Sequence, residues 1–233
     1  MKYENIVEGQ FIARPNRFIA QVTVNGRQVT AHVKNTGRCR ELLVPGAKVY
    51  LEDFYGRMGT RKLRYSLIAV EKGRLLINMD SQAPNKVCEE GLLSGRIALP
   101  GMEHLALVQR EKVYGNSRFD FYLEAEDGTK GWLEVKGVTL ESDGIARFPD
   151  APTERGVKHV EELCHAAAEG NRAYILFIVQ MTDMKWMEPN DDTHKAFGDA
   201  LRRASKQGVG VLAYECTVTP ETLQAEKEIP VKL

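Results

Sequence analysis

The four cysteines of this chain, Cys39, Cys88, Cys164 and Cys216, are scattered with no Cys-x-x-Cys spacing. That pattern excludes a zinc ribbon and a disulfide framework, and predicts reduced, mostly buried thiols. Long apolar runs are missing too. The stretch from Tyr174 to Val179 is far shorter than the roughly 20 residues a membrane-crossing helix needs. Met1-Lys2-Tyr3-Glu4-Asn5-Ile6 does not lead into the apolar segment of a secretory signal, so a cytoplasmic location without membrane partners is expected. No Walker loop, G-x-G-x-x-G turn, H-E-x-x-H helix or serine elbow occurs. Their absence weakens readings based on nucleotide hydrolysis, dinucleotide binding, zinc proteolysis and esterase chemistry. Repeats and low-complexity segments are absent, and 32 basic residues balance 32 acidic ones.

The balance hides an asymmetry. Residues 1–80 carry 14 Lys and Arg against 7 Asp and Glu, leaving 18 against 25 for the remainder. A basic N-terminal third points toward phosphate-bearing partners, although solvated faces of ordinary proteins can carry a similar excess. The length, 233 residues, fits one or two domains and allows a proper core.

Residues 6–14, 18–24, 28–33, 48–53 and 65–70 read as short strands, with Asn25-Gly26 joining the second and third as a two-residue hairpin turn. Five short strands in so few residues suggest a small barrel of OB type, or another short barrel. The pattern changes near residue 80, where we expect a boundary between a 1–80 barrel domain and an 81–233 α/β domain. Ala83-Pro84-Asn85 punctuates the chain there, and Asn85 is expected to cap a helix running to Ser94. Beyond a central hairpin, apolar residues recur at helical spacing to about Glu169, a continuous apolar run spans Ala173 to Gln180, a second amphipathic helix covers about Thr193 to Lys206, and Val209 to Cys216 forms another strand. This order predicts a three-layer α/β arrangement with a mixed sheet.

The central hairpin carries the candidate chemistry. Its strands read Ser117-Arg118-Phe119-Asp120-Phe121-Tyr122-Leu123-Glu124 and Trp132-Leu133-Glu134-Val135-Lys136 onward. Glu134 and Lys136 share one face by strand periodicity, and a register centred on Gly128 sets Asp120 opposite Lys136. Neighbouring carboxylates repel unless a cation lies between them. Hard oxygen ligands suit Mg2+ or Mn2+, an ion that can polarise a phosphoryl oxygen while lysine stabilises developing charge. An exposed cross-strand ion pair is the plainer reading. The flanking Phe119, Phe121, Leu133 and Val135 argue instead for a partly buried face, where unpaired charge is costly.

Asn35-Thr36-Gly37-Arg38 with Glu41-Leu42-Leu43 and Pro45-Gly46, Ser117-Arg118-Phe119-Asp120-Phe121, Glu134-Val135-Lys136-Gly137-Val138-Thr139-Leu140 and Phe148-Pro149-Asp150-Ala151-Pro152-Thr153-Glu154-Arg155-Gly156 together resemble the sugar fermentation stimulation protein A family. The resemblance implies an OB-like domain joined to a PD-(D/E)XK nuclease-type domain, and a DNA-binding role linked to sugar utilisation. It implies Asp120, Glu134 and Lys136 as catalytic residues, the two acids being the metal ligands. The sequence departs from the family pattern in having Phe119 where the nuclease motif has proline, and Val33-Lys34 in place of Cys-Pro.

Further candidates are basic. Arg38 and Arg40 follow the Asn35-Thr36-Gly37 loop, which could cradle a phosphate. Arg57, Arg61, Lys62 and Arg64 are interleaved with Tyr55 and Tyr65, as single strands favour. A plain barrel rim explains either cluster equally well. Arg155, Lys158 and His159 open a helix, with His159 expected to pack or face solvent. Glu89 or Glu90 is a further candidate acid, and Gln180 at the end of the apolar strand could reach the same site, although solvation is the expectation for a strand-end glutamine. Two functions therefore stand: a Mg2+- or Mn2+-dependent nuclease acting on DNA, or a non-catalytic DNA-binding regulator of sugar metabolism genes. An apolar edge strand would allow a homodimer.

Overall fold

Asn25 and Gly26 both adopt positive φ, 49° and 74°, the conformation a two-residue hairpin turn needs to match the twist of its strands. They join β2 (Ile19–Val24) to β3 (Arg27–Val33) in the computed structural model, which describes every residue except Thr36. β1 (Ile6–Asn16) pairs with β2 on one side and β4 (Lys48–Asp53) on the other, its register broken between Phe11 and Ala13 so that the long strand bends. β5 (Tyr65–Lys72) pairs antiparallel with β4 and parallel with β3. That second pairing closes five strands into the barrel, with Ala20, Val22, Val49, Leu51 and Leu67 buried inside. β6 (Leu75–Asn78) turns back to pair antiparallel with β5 and leads out of the barrel.

The rest of the chain is α/β. Helix α1 (Ala83–Leu93) carries Pro84 in its first turn, where the missing N–H leaves no helical hydrogen bond unmade. It is followed by the antiparallel strands β7 (Leu105–Tyr114), β8 (Ser117–Ala125) and β9 (Lys130–Val138). The short strands β10 (Leu140–Ser142) and β11 (Ile145–Phe148) precede α2 (Glu154–Ala168) and β12 (Arg172–Val179). Then come β13 (Trp186–Pro189), α3 (Asp191–Lys206, broken at His194), β14 (Gly210–Val218) and β15 (Leu223–Ile229). The main sheet runs β15-β14-β12-β9-β8-β7 and is mixed, because β12 lies parallel to both β9 and β14. β10, β11 and β13 form a small separate sheet. None of these helices is long and apolar enough to cross a membrane, among the described residues.

Three layers follow from the alternation along β12. Leu176 and Ile178 face α1, whereas Ile175 and Phe177 face α2 and α3. The apolar side chains on the α2 side are continuous with those lining the barrel. Polar contacts complete that seam: Lys34 pairs with the fully buried Asp80 at 2.6 Å, and Lys72 with Glu141 at 2.7 Å. Gln180, expected to be solvated, is instead buried there. Its amide nitrogen donates to Asn78 and to the Asp80 carbonyl, because the strand end it occupies is covered by the barrel exit.

Candidate nucleic-acid and metal site

The β8–β9 hairpin turns about Asp127. Ala125 donates its amide to the Thr129 carbonyl, and Gly128 takes φ of 85°. This shifts the register by two residues from one centred on Gly128, so Phe121 pairs with Leu133 and Asp120 does not lie opposite Lys136. Regular pairing stops at Phe121 and Leu133. Beyond it the strands part, and the Asp120 carboxylate replaces a backbone acceptor: its Oδ2 accepts from the Val135 amide at 2.8 Å. The alternation of β8 breaks at the same point, since Phe119 packs on the α2 side while Phe121 packs toward α1.

Two helices hold the two acids from opposite faces of this fork. Asn85 on α1 does not cap the helix, whose N-cap position is Gln82; its amide donates to Asp120 Oδ1 at 2.7 Å. From α2, the buried His159 ring bonds through Nδ1 to Glu134 Oε1. Lys136 Nζ reaches the same oxygen at 2.5 Å. His159 therefore neither packs inertly nor faces solvent. The remaining oxygen, Glu134 Oε2, is buried with no hydrogen-bond partner among the described residues.

The electrostatics differ between the two carboxylates. Burial pushes the Asp120 carboxyl above the ordinary aspartate range, and the Glu134 charge adds to that rise. Burial would also lift Glu134. The His159 hydrogen bond and the Lys136 charge outweigh it, holding this carboxyl below the ordinary glutamate range. The two carboxyls are thus shifted in opposite directions, Asp120 upward by burial and Glu134 downward by its His159 and Lys136 partners.

Glu89 and Glu90 do not contribute to this cluster. Glu89 pairs with Arg110, and Glu90 with the N-terminal amine. No group of three or more His, Cys, Asp and Glu side chains arranged to hold a metal occurs among the described residues.

A family model for the sugar fermentation stimulation protein RE domain matches residues 82–222, and one for the SfsA N-terminal OB domain matches residues 12–79. The chain belongs to the sugar fermentation stimulation protein family. Homologues bearing that family's name include one from Desulfitobacterium hafniense, 54% identical over 100% of this chain and 99% of that protein. Another, from Ruminiclostridium cellulolyticum, is 49% identical over the full length of both. The solved structure of Pyrococcus furiosus SfsA in complex with Ca2+ superposes with a TM-score of 0.88, at 28% identity, covering 100% of this chain and 98% of that one. The barrel of this family member is accordingly an OB domain, as the five short strands suggested.

The basic residues of this family member fall into distinct settings. Arg38 and Arg40 are exposed, and the Arg38 amide donates to Asp150 Oδ2 at 3.0 Å, tying the loop to the second part of the chain. Thr36, named with that loop, lies outside the described residues. The Arg14 guanidinium braces the loop through the carbonyls of Asn35, Gly37 and Arg38. Arg57 pairs with Glu4 and Glu52, and Arg64 closes its fork on Asp53 with two 2.6 Å bonds. Arg61 stacks 3.7 Å over Phe54 and lines a cavity of about 290 Å³ with His32, Lys62 and Leu63. Arg155 Nε donates to His159 Nε2 at 3.3 Å, and Lys158 reaches the Asn116 carbonyl.

Asn85 and His159 contact the two acids, a role that the residue pattern did not assign to either. The helical period already set His159 beside Val160 and Leu163 on the buried stripe of α2, where an imidazole needs a partner. For Asn85 no comparable signal exists.

Proposed function

We propose that this protein is a metal-dependent nuclease acting on DNA, with a site of PD-(D/E)XK type in which Asp120 and Glu134 hold Mg2+ or Mn2+. The observation that carries this reading is Glu134 Oε2, a buried carboxylate oxygen with no hydrogen-bond partner among the described residues, beside a second carboxylate. A lone buried acceptor is costly, and a hard cation relieves it. Two carboxylates suffice for Mg2+, which keeps several positions for water and phosphate oxygens. When bound, the ion would supply Lewis-acid polarisation of the phosphoryl group. In this reading Lys136 stabilises charge building on the phosphate, Asn85 holds the Asp120 carboxylate in place, and His159 fixes Glu134. The P. furiosus relative, solved in complex with Ca2+, supports a divalent-cation site in this chain as well.

In this reading Arg38, Arg40, Arg57, Arg61, Lys62 and Arg64 on the barrel, with Arg155 and Lys158 on α2, are the residues that contact DNA. The division at residue 80 makes the barrel the DNA-holding unit and residues 81–233 the cutting unit. Four unpaired cysteines fit a reducing cytoplasm. Exposed Leu107 and Val113 on the outer strand β7 supply the edge for a homodimer, opposed by the Arg110-Glu111-Lys112 run in its middle.

A second reading, a DNA-binding regulator without turnover, draws support from the 2.5 Å Lys136–Glu134 contact. There the lysine serves as the counter-ion of the acid, a use that needs no chemistry. The link to sugar utilisation rests on the family's name. Incubation of purified protein with single- and double-stranded DNA and Mn2+ or Mg2+ separates the two: cleavage is expected, and its loss in folded Asp120→Ala, Glu134→Ala and Lys136→Ala. DNA binding with neither cleavage nor calorimetric metal uptake would leave only the regulator.

A further inference from the structure

We propose that Arg155 seats a substrate phosphate beside the carboxylate pair and that His159 is the strut locking Arg155 to Glu134; the inference rests on the nuclease reading above. His159 bridges the two residues through its two ring nitrogens. Nε2 accepts from Arg155 Nε at 3.3 Å, so Nδ1 is the donor toward Glu134 Oε1. The ring is 5% exposed and lies edge-on against Phe119, with centroids 6.2 Å apart. It has little freedom to turn away from either partner. Arg155 and His159 are four residues apart on α2, the spacing that brings side chains together on one helix face.

The state of Arg155 is what points to a ligand. Its Nε is spent on His159, while both terminal nitrogens lack a protein partner among the described residues, and no carboxylate pairs with it. Arg64 and Arg202 show the opposite arrangement, each closing its fork on an aspartate. An open, exposed guanidinium fork anchored at its base is suited to two parallel hydrogen bonds with a phosphate. The anchoring matters because it holds an otherwise flexible side chain in one rotamer. It also ties the fork to the acid that would hold the metal, so phosphate and cation are kept in a common frame. Arg155 would touch substrate, whereas His159 is a positioning residue.

Three variants separate the two ends of the strut. His159→Asn retains an N–H near the Nδ1 position but has no acceptor for Arg155. His159→Gln reaches the Nε2 position and vacates the other. Arg155→Ala removes the fork alone. Two probes are used: Mn2+ alone by calorimetry, and a fluorescein-labelled oligodeoxynucleotide titrated in EDTA at several salt concentrations. Arg155→Ala and His159→Asn are expected to keep Mn2+ affinity, weaken oligonucleotide binding about 10-fold, and reduce the salt slope, by about 1 for Arg155→Ala. His159→Gln is expected to lose about 10- to 100-fold in Mn2+ affinity while keeping oligonucleotide affinity within a few fold. Unchanged oligonucleotide affinity and slope in Arg155→Ala, against a wild type that binds both probes, would overturn the proposal. So would two histidine variants with the same Mn2+ affinity. A wild type that binds neither probe overturns the nuclease reading itself. Should a histidine variant fail to fold, Arg155→Ala compared with Arg155→Lys decides, the lysine being expected to recover binding only in part because it lacks the fork.

Discussion

His159 and Glu134 meet through one ring nitrogen and one carboxylate oxygen, and the other oxygen of Glu134 is left buried with no hydrogen-bond partner among the described residues. The arrangement fixes the acid and keeps half of its coordinating capacity unspent. Lys136 contacts the same oxygen as His159, so both positive or donating groups are gathered on one side. The free side is where a cation shared with Asp120 would relieve repulsion between the acids.

Metal should therefore stabilise the fold. Mn2+ at about 100 times its dissociation constant is expected to add about 2.7 kcal/mol, read as a rise in the midpoint of thermal unfolding. Asp120→Asn and Glu134→Gln should abolish that rise. An equal rise in both variants would mean that the ion binds elsewhere.

Asn85→Ala tests the α1 side of the fork. It removes the donor to Asp120 Oδ1 while leaving both carboxylates in place. Mn2+ affinity is expected to fall about 10- to 100-fold, in line with loss of an outer hydrogen-bond partner. Calorimetry showing wild-type affinity would count against Asn85 as a positioning residue.

The barrel arginines should not contribute alike. Lys62, Arg38 and Arg40 are exposed, whereas Arg64 is held bidentate by Asp53. Alanine at each of the first three is expected to lower the salt slope of DNA binding by about 1. Arg64→Ala should have a smaller effect, since binding phosphate there requires breaking the Asp53 pair. Fluorescence anisotropy across a salt series measures all four.

Glu141 makes the barrel seam sensitive to acid. Although burial opposes it, hydrogen bonds from Lys72 and the Gly144 amide hold its carboxyl below the ordinary value of 4.5. A depressed carboxyl contributes its full stability above the unfolded-state value and loses it as pH falls through the folded-state one. Glu141→Gln is thus expected to cost about 1 kcal/mol near neutral pH, with the gap to wild type closing below pH 4.5. Urea unfolding at a series of pH values checks it; a gap that persists in acid would refute the assignment.

Much of the architecture was legible because it depends on local order. Asn25-Gly26 announced its hairpin, the apolar run 173–180 announced a covered strand, and α2 followed from its helical period. β7 was missed because Leu105–Tyr114 alternates weakly and carries Arg110, Glu111 and Lys112 on an outer edge, where little burial shapes the pattern. β15 and the small β10-β11-β13 sheet are short or edge elements with the same weakness.

The site divides along the same line. Residue types and strand periodicity were enough to single out Asp120, Glu134 and Lys136 and to set Glu134 and Lys136 on one face, since a two-residue repeat is a property of the chain itself. Which partner each acid meets was decided only by the tertiary structure. The turn about Asp127 moved the register, the parting of β8 and β9 turned Asp120 toward α1, and packing of α2 brought His159 onto Glu134. Those outcomes depend on helices that approach from opposite faces of the sheet, a relation no local pattern of residues encodes.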